Sequence, residues 1–247
     1  IRNLGLALSA RESVGQPIHI LLTHLHLDHI QGLMFFAPAF RPESEIIIWG
    51  PASPEASLRD RIARYISAPL APVEVRELPS LVSFREAEPL EWDIGPARIH
   101  AQAVAHRGPT LGYRITADDC SLCYIPDHEP GLGAPLAELD DDWISGFELG
   151  RGASMLIHDC QYTDREYPHH LGWGHSPMSD ALEFGHRVGA ERLLMFHHDP
   201  LHTDADLDAI ASEVSARWSD FGHAPAQVEV AAERRELAIE PAPARVP

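Results

Sequence analysis

Cysteine is scarce in this sequence. The 247 residues include only three cysteines, Cys120, Cys123 and Cys160. So sparse and odd a count excludes a disulfide framework and is typical of proteins from a reducing compartment. Cys120 and Cys123 form a C-x-x-C pair, but there is no second pair to complete a zinc knuckle. We therefore interpret them as buried strand cysteines.

Long apolar runs and basic segments are also lacking. No run approaches the roughly 20 apolar residues that a membrane span needs. Residues 4–10 are too short, and too broken by Gly5 and Ser9, to predict a signal peptide. We therefore expect a soluble cytoplasmic protein with no membrane partner.

The 37 acidic residues outnumber the 19 basic ones, giving a formal net charge of -18. This balance argues against a large nucleic acid as partner, because binding one requires a basic surface.

The composition indicates an α/β protein with a sizeable core. With 45% hydrophobic and 23% charged residues, the chain is long enough for one large domain or two small ones. No repeat or linker is evident, so we predict a single domain over residues 1–247, with a loose Pro/Ala-rich tail at 240–247. The pattern also predicts helices over residues 2–11, 54–67 (with Ser53 as N-cap) and 136–147, and a strand or hairpin over 227–239.

Histidine is abundant, at 16 residues, and indicates metal binding. The densest run is H-x-H-x-D-H, formed by His24, His26, Asp28 and His29. It follows an apolar run at 18–22 that predicts a buried strand, and it precedes a predicted helix. Functional residues often lie on such strand-to-helix loops. We expect His24 and His26 to hold one cation, with Asp28 and His29 at a second position nearby. The alternative is a solvated surface cluster, which so dense a run disfavours.

Other candidate ligands follow the carboxyl ends of predicted strands. They are His106, Asp127, Asp159 and His197. In α/β proteins, sites gather at the carboxyl ends of strands. Either histidine alone would more often be an ordinary structural residue, but the shared position of all four residues favours a site.

These residues suffice for two metal positions. The predicted ligands are His24, His26 and His106 for the first metal, Asp28, His29 and His197 for the second, and Asp127 as a bridge. Imidazoles with a carboxylate suit zinc, and mixed nitrogen and oxygen ligands also allow manganese or iron(II). Two divalent ions held close together trap a bridging hydroxide and stabilise both oxygens of an in-line displacement. The sequence therefore predicts a dinuclear hydrolase.

His175 is the predicted proton donor. It lies in the run Gly172-Trp173-Gly174-His175-Ser176, and a histidine flanked by glycine outside regular structure suits contact with substrate. Asp159 is expected to accept its second ring N–H. Two alternatives remain open: Asp159 supports a ligand histidine instead, or His175 caps the helix beginning near Pro177. Asp28, His175 and Asp159 are thus the predicted catalytic residues.

The order and type of these residues resemble the metallo-β-lactamase superfamily, most closely its ribonuclease Z-like and cyclic-phosphate phosphodiesterase branch. The segment 156–159 resembles the family's "IHEA" segment, whose acid orients the catalytic histidine, and 174–176 resembles the segment that carries this histidine. The resemblance runs from about residue 18 to 200. It implies an αββα sandwich with the dinuclear site on one edge, often as a homodimer.

Two departures from the family affect these expectations. Strands that normally precede the family's first helix are not evident, so the expected sandwich either lacks its N-terminal strands through truncation or has one short sheet. Asp159 stands where ribonuclease Z has glutamate, which shortens the reach to His175 by one methylene. No long basic arm for gripping tRNA is evident either.

We therefore expect a hydrolase of small phosphodiesters, such as cyclic nucleotides or cyclic phosphates. One alternative is a hydrolase of carboxylic esters, lactones or thioesters on the same fold. The other is a non-catalytic binding domain. A true β-lactamase is disfavoured because Asp127 is not cysteine, and an oxygen-reducing di-iron protein because residue 26 is histidine.

Overall fold

The computed structural model describes residues 1–10, 15–87 and 90–239 of the chain. The chain divides into two compact units, Ile1–Glu88 and Pro89–Pro247. Each unit has its own sheet and its own apolar core. The predicted tail at 240–247, and Arg11 at the end of the first predicted helix, lie outside the described residues. The single domain over 1–247 therefore stays a prediction. No helix in the described ranges has the length and apolarity that crossing a membrane would require.

The first unit contains a three-stranded parallel sheet with the order β1-β2-β3. Its strands are β1 (Ile18–Leu21), β2 (Glu45–Pro51) and β3 (Leu81–Ala87), and its helices are α1 (Arg2–Ala10), α2 (Leu27–Ile30) and α3 (Leu58–Ala63). Parallel strands need crossover connections, and here α2 lies between β1 and β2 and α3 between β2 and β3. Apolar residues of β2 and α3 form the centre of the core, among them Ile46, Ile48, Leu58 and Ile62.

The predicted helix over 54–67 is too long at both ends and has the wrong cap, since α3 covers only Leu58–Ala63. Helix α3 begins at Leu58, and its N-cap is Ser57, whose Oγ accepts a hydrogen bond from the Asp60 N–H at 3.2 Å. Ser53 instead accepts from the Glu55 N–H at 3.3 Å. Because two serines with the same capping chemistry lie four residues apart, the pattern alone selected the wrong one.

The second unit contains a seven-stranded mixed sheet with the order β10-β9-β8-β7-β6-β5-β4. Its strands are β4 (Leu90–Ile94), β5 (Ala97–Ala103), β6 (Leu111–Ala117), β7 (Cys120–Ile125), β8 (Met155–Asp159), β9 (Leu193–Phe196) and β10 (Val228–Val230). Its helices are α4 (Phe147–Gly150), α5 (Met178–Arg187) and α6 (Asp204–Asp220). Strands β4 to β7 pair antiparallel, whereas β7 to β10 pair parallel. Of the strand or hairpin predicted over 227–239, the described residues form one short strand, β10.

The predicted helix over 136–147 is also wrong. This segment forms two 3₁₀ turns, Leu136–Glu138 and Asp141–Trp143, and α4 begins only at Phe147. The Arg187 guanidinium donates hydrogen bonds to the carbonyls of Leu136 and Leu139 at 2.5 and 2.8 Å. The Leu139 carbonyl therefore accepts from a distant side chain, and the Leu136 carbonyl accepts both from that side chain and from the Leu139 N–H of its own 3₁₀ turn, at 3.1 Å. Tertiary contacts have overridden local helix propensity here.

The sheet of the second unit brings four strand ends to one edge. Strand β5 is antiparallel to β6, and β6 is antiparallel to β7, so β5 runs in the same direction as β7, β8 and β9. The carboxyl ends of these four strands therefore lie at the same edge. The chain places at or just beyond them His106, Asp127, Asp159 and His197.

Candidate metal centre

The H-x-H-x-D-H loop gathers three imidazoles in the first unit. The rings of His24 and His26 lie 4.4 Å apart at an angle of 85°, and those of His24 and His29 lie 4.2 Å apart. His24 is buried, and its Nδ1 lies 3.1 Å from the Thr23 hydroxyl. Three imidazoles at these separations suit binding of a divalent cation.

The backbone of this loop explains the clustering. Strand β1 ends at Leu21, and the Leu22 N–H still donates to the Trp49 carbonyl of β2 at 2.9 Å. The chain then turns, and the His29 N–H donates to the His26 carbonyl at 3.1 Å as α2 begins. The exposed Asp28 carboxylate lies 3.1 Å from His29 Nε2. The short loop between β1 and the single turn of α2 thus brings its own His24 and His26 together with His29 of the helix.

A second donor cluster lies at the shared sheet edge of the second unit. Asp127 Oδ2 lies 3.2 Å from His197 Nε2 and 3.8 Å from His106 Nε2. Ligand-capable atoms of His106, Asp127 and His175 lie within 4.8 Å of one another, as do those of Asp159, His175 and His197. This combination of imidazole nitrogens and carboxylate oxygens fits a zinc, manganese or iron(II) ion.

His175 and Asp159 form a close pair. The His175 Nδ1–H donates to Asp159 Oδ2 at 2.6 Å. The carboxylate therefore fixes the tautomer and directs Nε2 as the nitrogen that exchanges a proton. The His175 ring also stacks on His197, with centroids 4.9 Å apart and planes at 14°. Although Asp159 is one methylene shorter than glutamate, it reaches the histidine directly.

Three backbone N–H groups also hold the Asp159 carboxylate. Those of Gln161 and Ser176 donate to Oδ1 at 2.9 and 3.1 Å, and that of His128 donates to Oδ2 at 3.0 Å. Burial raises the pKa of Asp159, and the donors on His128 and Ser176 oppose that rise. The carboxylate is fully buried, so these donors replace the water that it has lost.

A backbone turn of unusual conformation carries His197. This residue directly follows β9 and has φ = +58°, in the left-handed region. A non-glycine residue there costs about 1–2 kcal/mol. Such strain is often found at functional positions, where the surrounding structure maintains it.

Sequence reasoning missed the roles of two residues after Asp127. His128 and His158 are fully buried, and burial lowers the pKa of both, that of His158 to about 4. The neutral His158 Nδ1–H donates to the Asp159 carbonyl at 2.8 Å, and the His128 Nδ1–H donates to His158 Nε2 at 2.9 Å. Glu129 is also buried, and its carboxylate binds the loop that precedes His175. The only signal in the sequence for His128 and Glu129 is that both residues directly follow Asp127.

Residues 4–198 match the family described as "Beta-lactamase superfamily domain". Among curated proteins, the chain is 27% identical over 241 residues to a ribonuclease Z of Exiguobacterium sibiricum, covering 79% of this chain and 76% of that protein. It is 28% identical over 240 residues to a ribonuclease Z of Mycobacterium sp. (strain KMS), covering 85% of this chain and 77% of that protein.

Three solved structures are similar in fold. The metallo-β-lactamase fold protein YhfI of Bacillus subtilis aligns with a TM-score of 0.60 at 18% identity, covering 86% of this chain and 73% of that one. A diphosphatase of the PhnP family gives 0.58 at 17%, covering 95% and 78%. Zinc-bound PqqB of Methylobacterium extorquens gives 0.57 at 17%, covering 93% and 77%. These similarities confirm the predicted α/β fold of the metallo-β-lactamase type.

Proposed function

The chain belongs to the β-lactamase superfamily as a metal-dependent hydrolase, and we propose that it cleaves small phosphodiesters, among them cyclic nucleotides or cyclic phosphates. The observation that carries the proposal is the His175–Asp159 pair, 2.6 Å apart and beside Asp127 and His197. A histidine whose tautomer a buried carboxylate fixes is suited to protonate an alkoxide leaving group.

We propose a dinuclear metal centre. The assignment rests on residue types and on the family to which the chain belongs, and the proposed ligands are His24, His26, Asp28, His29, His106, Asp127 and His197. Zinc is the favoured metal, because imidazoles dominate the set and because a protein of similar fold, PqqB, is described as zinc-bound. When bound, the two cations would lower the pKa of a coordinated water and stabilise charge on phosphoryl oxygens.

The chain's own residues would divide the remaining work. Asp127 contributes negative charge between His106 and His197, which favours cation binding at the sheet edge. Asp159 keeps His175 in one tautomer and one orientation. His175 then protonates the leaving oxygen, a step that becomes more important as the leaving group becomes more basic.

The size of the substrate separates this proposal from the activity that its relatives are named for. Those relatives are called ribonuclease Z, which is the name of an RNA-cleaving enzyme. This chain has 37 acidic and 19 basic residues, whereas binding a long RNA requires many phosphate contacts from basic groups. We therefore propose small diesters as substrates. We also propose a homodimer, which analytical ultracentrifugation of the metal-loaded protein would test.

A substrate panel tests the function directly. Metal-reconstituted protein is assayed on bis-p-nitrophenyl phosphate, on 2′,3′- and 3′,5′-cyclic nucleotides, on a precursor tRNA and on a lactone, and its metal content is measured by elemental analysis. We expect two metals per chain and turnover of small diesters. Lactone hydrolysis without diester cleavage would instead establish the ester alternative, and cleavage restricted to the tRNA would overturn the size argument.

A histidine variant tests the role of the proton donor. His175→Ala should lower kcat about 100-fold or more on cyclic nucleotides, the range expected for losing a general acid. His169→Ala is the matched control, because His169 is an exposed histidine only six residues away. Undiminished turnover by His175→Ala would remove His175 from the mechanism.

A further inference from the structure

We propose that Glu129 is a positioning residue whose buried carboxylate holds the loop carrying His175 and, through that loop, orients the His106 ring. The inference rests on the proposed phosphodiesterase function insofar as it concerns catalysis. The placement of the loop itself depends only on the contacts within the second unit.

Glu129 is one of the most completely bonded carboxylates in the second unit. It is 1% exposed. Its Oε1 accepts from the Tyr167 hydroxyl and the Gly172 N–H, each at 2.8 Å, and its Oε2 accepts from the Gly174 N–H at 2.8 Å. The Glu129 N–H donates to the Ala105 carbonyl at 2.9 Å, immediately before His106. The residue thus ties the glycine loop to the end of β5.

The glycine loop needs such an anchor because its conformation is unusual. Gly172 and Gly174 have φ of +76° and +91°, in the left-handed region. At Gly174 an added Cβ would lie 2.5 Å from His106 Nδ1 and 3.1 Å from the Arg107 nitrogen. The backbone therefore approaches His106 more closely than any other residue type would allow.

This close approach serves the two histidines in different ways. The His106 Nδ1–H donates to the Gly174 carbonyl at 2.6 Å, which fixes the tautomer and leaves Nε2 as the atom that coordinates a cation. His175 follows directly and donates its Nδ1–H to Asp159. The Gly174 N–H therefore donates to Glu129, and the Gly174 carbonyl accepts from His106. The next residue, His175, donates to Asp159. A shift of Gly174 would disturb both histidines.

The three hydrogen bonds that Glu129 accepts require a carboxylate. An ionised carboxylate only accepts hydrogen bonds, so it can take three donors at once, whereas an amide has one accepting end. In Glu129→Gln, whichever way the amide is oriented, its NH₂ group faces the N–H of Gly172 or of Gly174. This isosteric change therefore detaches one glycine while the side-chain volume is preserved.

The leaving group of the substrate distinguishes positioning from general damage. If Glu129 acts through His175, Glu129→Gln should lower kcat about 10- to 100-fold on a cyclic nucleotide, whose leaving group is an alkoxide that needs a proton. The loss should be no more than about threefold on bis-p-nitrophenyl phosphate, because p-nitrophenolate leaves without protonation. KM should change little when metal is in excess, and the weaker support of His106 should appear as a higher metal concentration needed for half-maximal activity. His175→Ala should show the same selectivity.

Two further variants keep the test decisive. Tyr167→Phe removes one donor to Glu129 and should give a smaller loss with the same selectivity, even if Glu129→Gln folds poorly. Glu148→Gln, at an exposed glutamate paired with Arg151, should behave as wild type. Equal losses on both substrates for Glu129→Gln and Tyr167→Phe would overturn the proposal, as would the absence of any loss.

A spectroscopic readout separates this proposal from the proposed function. In ¹H–¹⁵N spectra of the metal-loaded protein, Glu129→Gln should shift the ring N–H signal of His175 and reduce the exchange protection of the Gly172 and Gly174 amides. If the wild type cleaves neither diester, the proposed function fails but these signals still decide whether Glu129 positions the loop. If the Gly172 and Gly174 amides exchanged faster while the His175 ring signal stayed unchanged, Glu129 would hold the glycines without positioning the histidine, and the proposal would be overturned.

Discussion

Replacing Asp159 by glutamate is a demanding test of the site, because it introduces the acid that ribonuclease Z carries at the corresponding position. By the family resemblance alone, Asp159→Glu should be neutral or beneficial. The structure predicts the opposite. The carboxylate is fully buried and accepts four hydrogen bonds, from the ring of His175 and from three backbone N–H groups.

The expected loss of stability follows from how tightly the Asp159 side chain is packed and hydrogen-bonded. An extra methylene in a well-packed interior costs about 1–3 kcal/mol. It also moves the carboxylate by roughly one bond length, about 1.5 Å, so the four donors cannot all keep their contacts. Each hydrogen bond to a charged group contributes about 1.5–3 kcal/mol. The loss of stability should therefore be about 3–6 kcal/mol, which corresponds to a fall in Tm of at least about 6 °C for a chain of this size.

Thermal unfolding and turnover measure the two consequences separately. We expect Asp159→Glu to lower Tm by this amount and to lower kcat on cyclic nucleotides about 100-fold, because His175 loses its partner. Asp220→Glu is the control, since it lengthens an exposed aspartate at the end of α6. If Asp159→Glu matched the wild type in Tm and in kcat, the four donors would not restrict position 159 to aspartate. That result would refute the prediction.

Three further predictions concern the same unit and the metals. Gly174→Ala should lower kcat at least about tenfold, because a Cβ there meets His106 Nδ1 at 2.5 Å and forces the loop to move; steady-state kinetics would measure the loss. Burial, with Asp164 and Glu129 nearby, raises the pKa of Asp180 from 3.8 to about 7. The folded state therefore keeps a proton that the unfolded state has lost between about pH 4 and 7. Stability should fall as pH rises through that window, and Asp180→Asn should raise Tm by a few degrees at pH 8 but not at pH 4. Chelation should abolish turnover and lower Tm, and added zinc should restore both, since a ligand of the native state stabilises it.

The sequence was most informative where local pattern and chemistry coincide. The H-x-H-x-D-H run begins in the loop after a strand and ends within a helix, close to the strand-to-helix position that the sequence predicted. Because strands of one direction end at one sheet edge, residues such as Asp127 and His197, 70 positions apart in sequence, were predicted to lie together, and they do. The residue types also suit the tight turn between β6 and β7, because Asp118 and Asp119 adopt the left-handed conformation there and aspartate tolerates it.

The sequence was least informative where a distant side chain satisfies the backbone. The Arg187 guanidinium binds carbonyls about 50 residues away and so replaces a predicted helix with turns. Glu129 likewise binds N–H groups of residues 172 and 174. In neither case does the local sequence reveal the partner, because a side-chain contact with a backbone group leaves no periodic pattern. The role of Glu129 therefore emerged only from the structure.

Asp159 and Glu129, both buried, share a feature that explains how an acidic chain can organise such a site. Neither Asp159 nor Glu129 pairs with an arginine within the described residues, and the chain has no lysine at all. Backbone N–H groups stabilise both carboxylates instead, together with the His175 ring for Asp159 and the Tyr167 hydroxyl for Glu129. A guanidinium at the sheet edge would repel the cations that the neighbouring histidines are proposed to bind, whereas amide dipoles carry no net charge. Stabilising the carboxylates in this way fixes the histidines and leaves the net negative charge available to attract divalent ions.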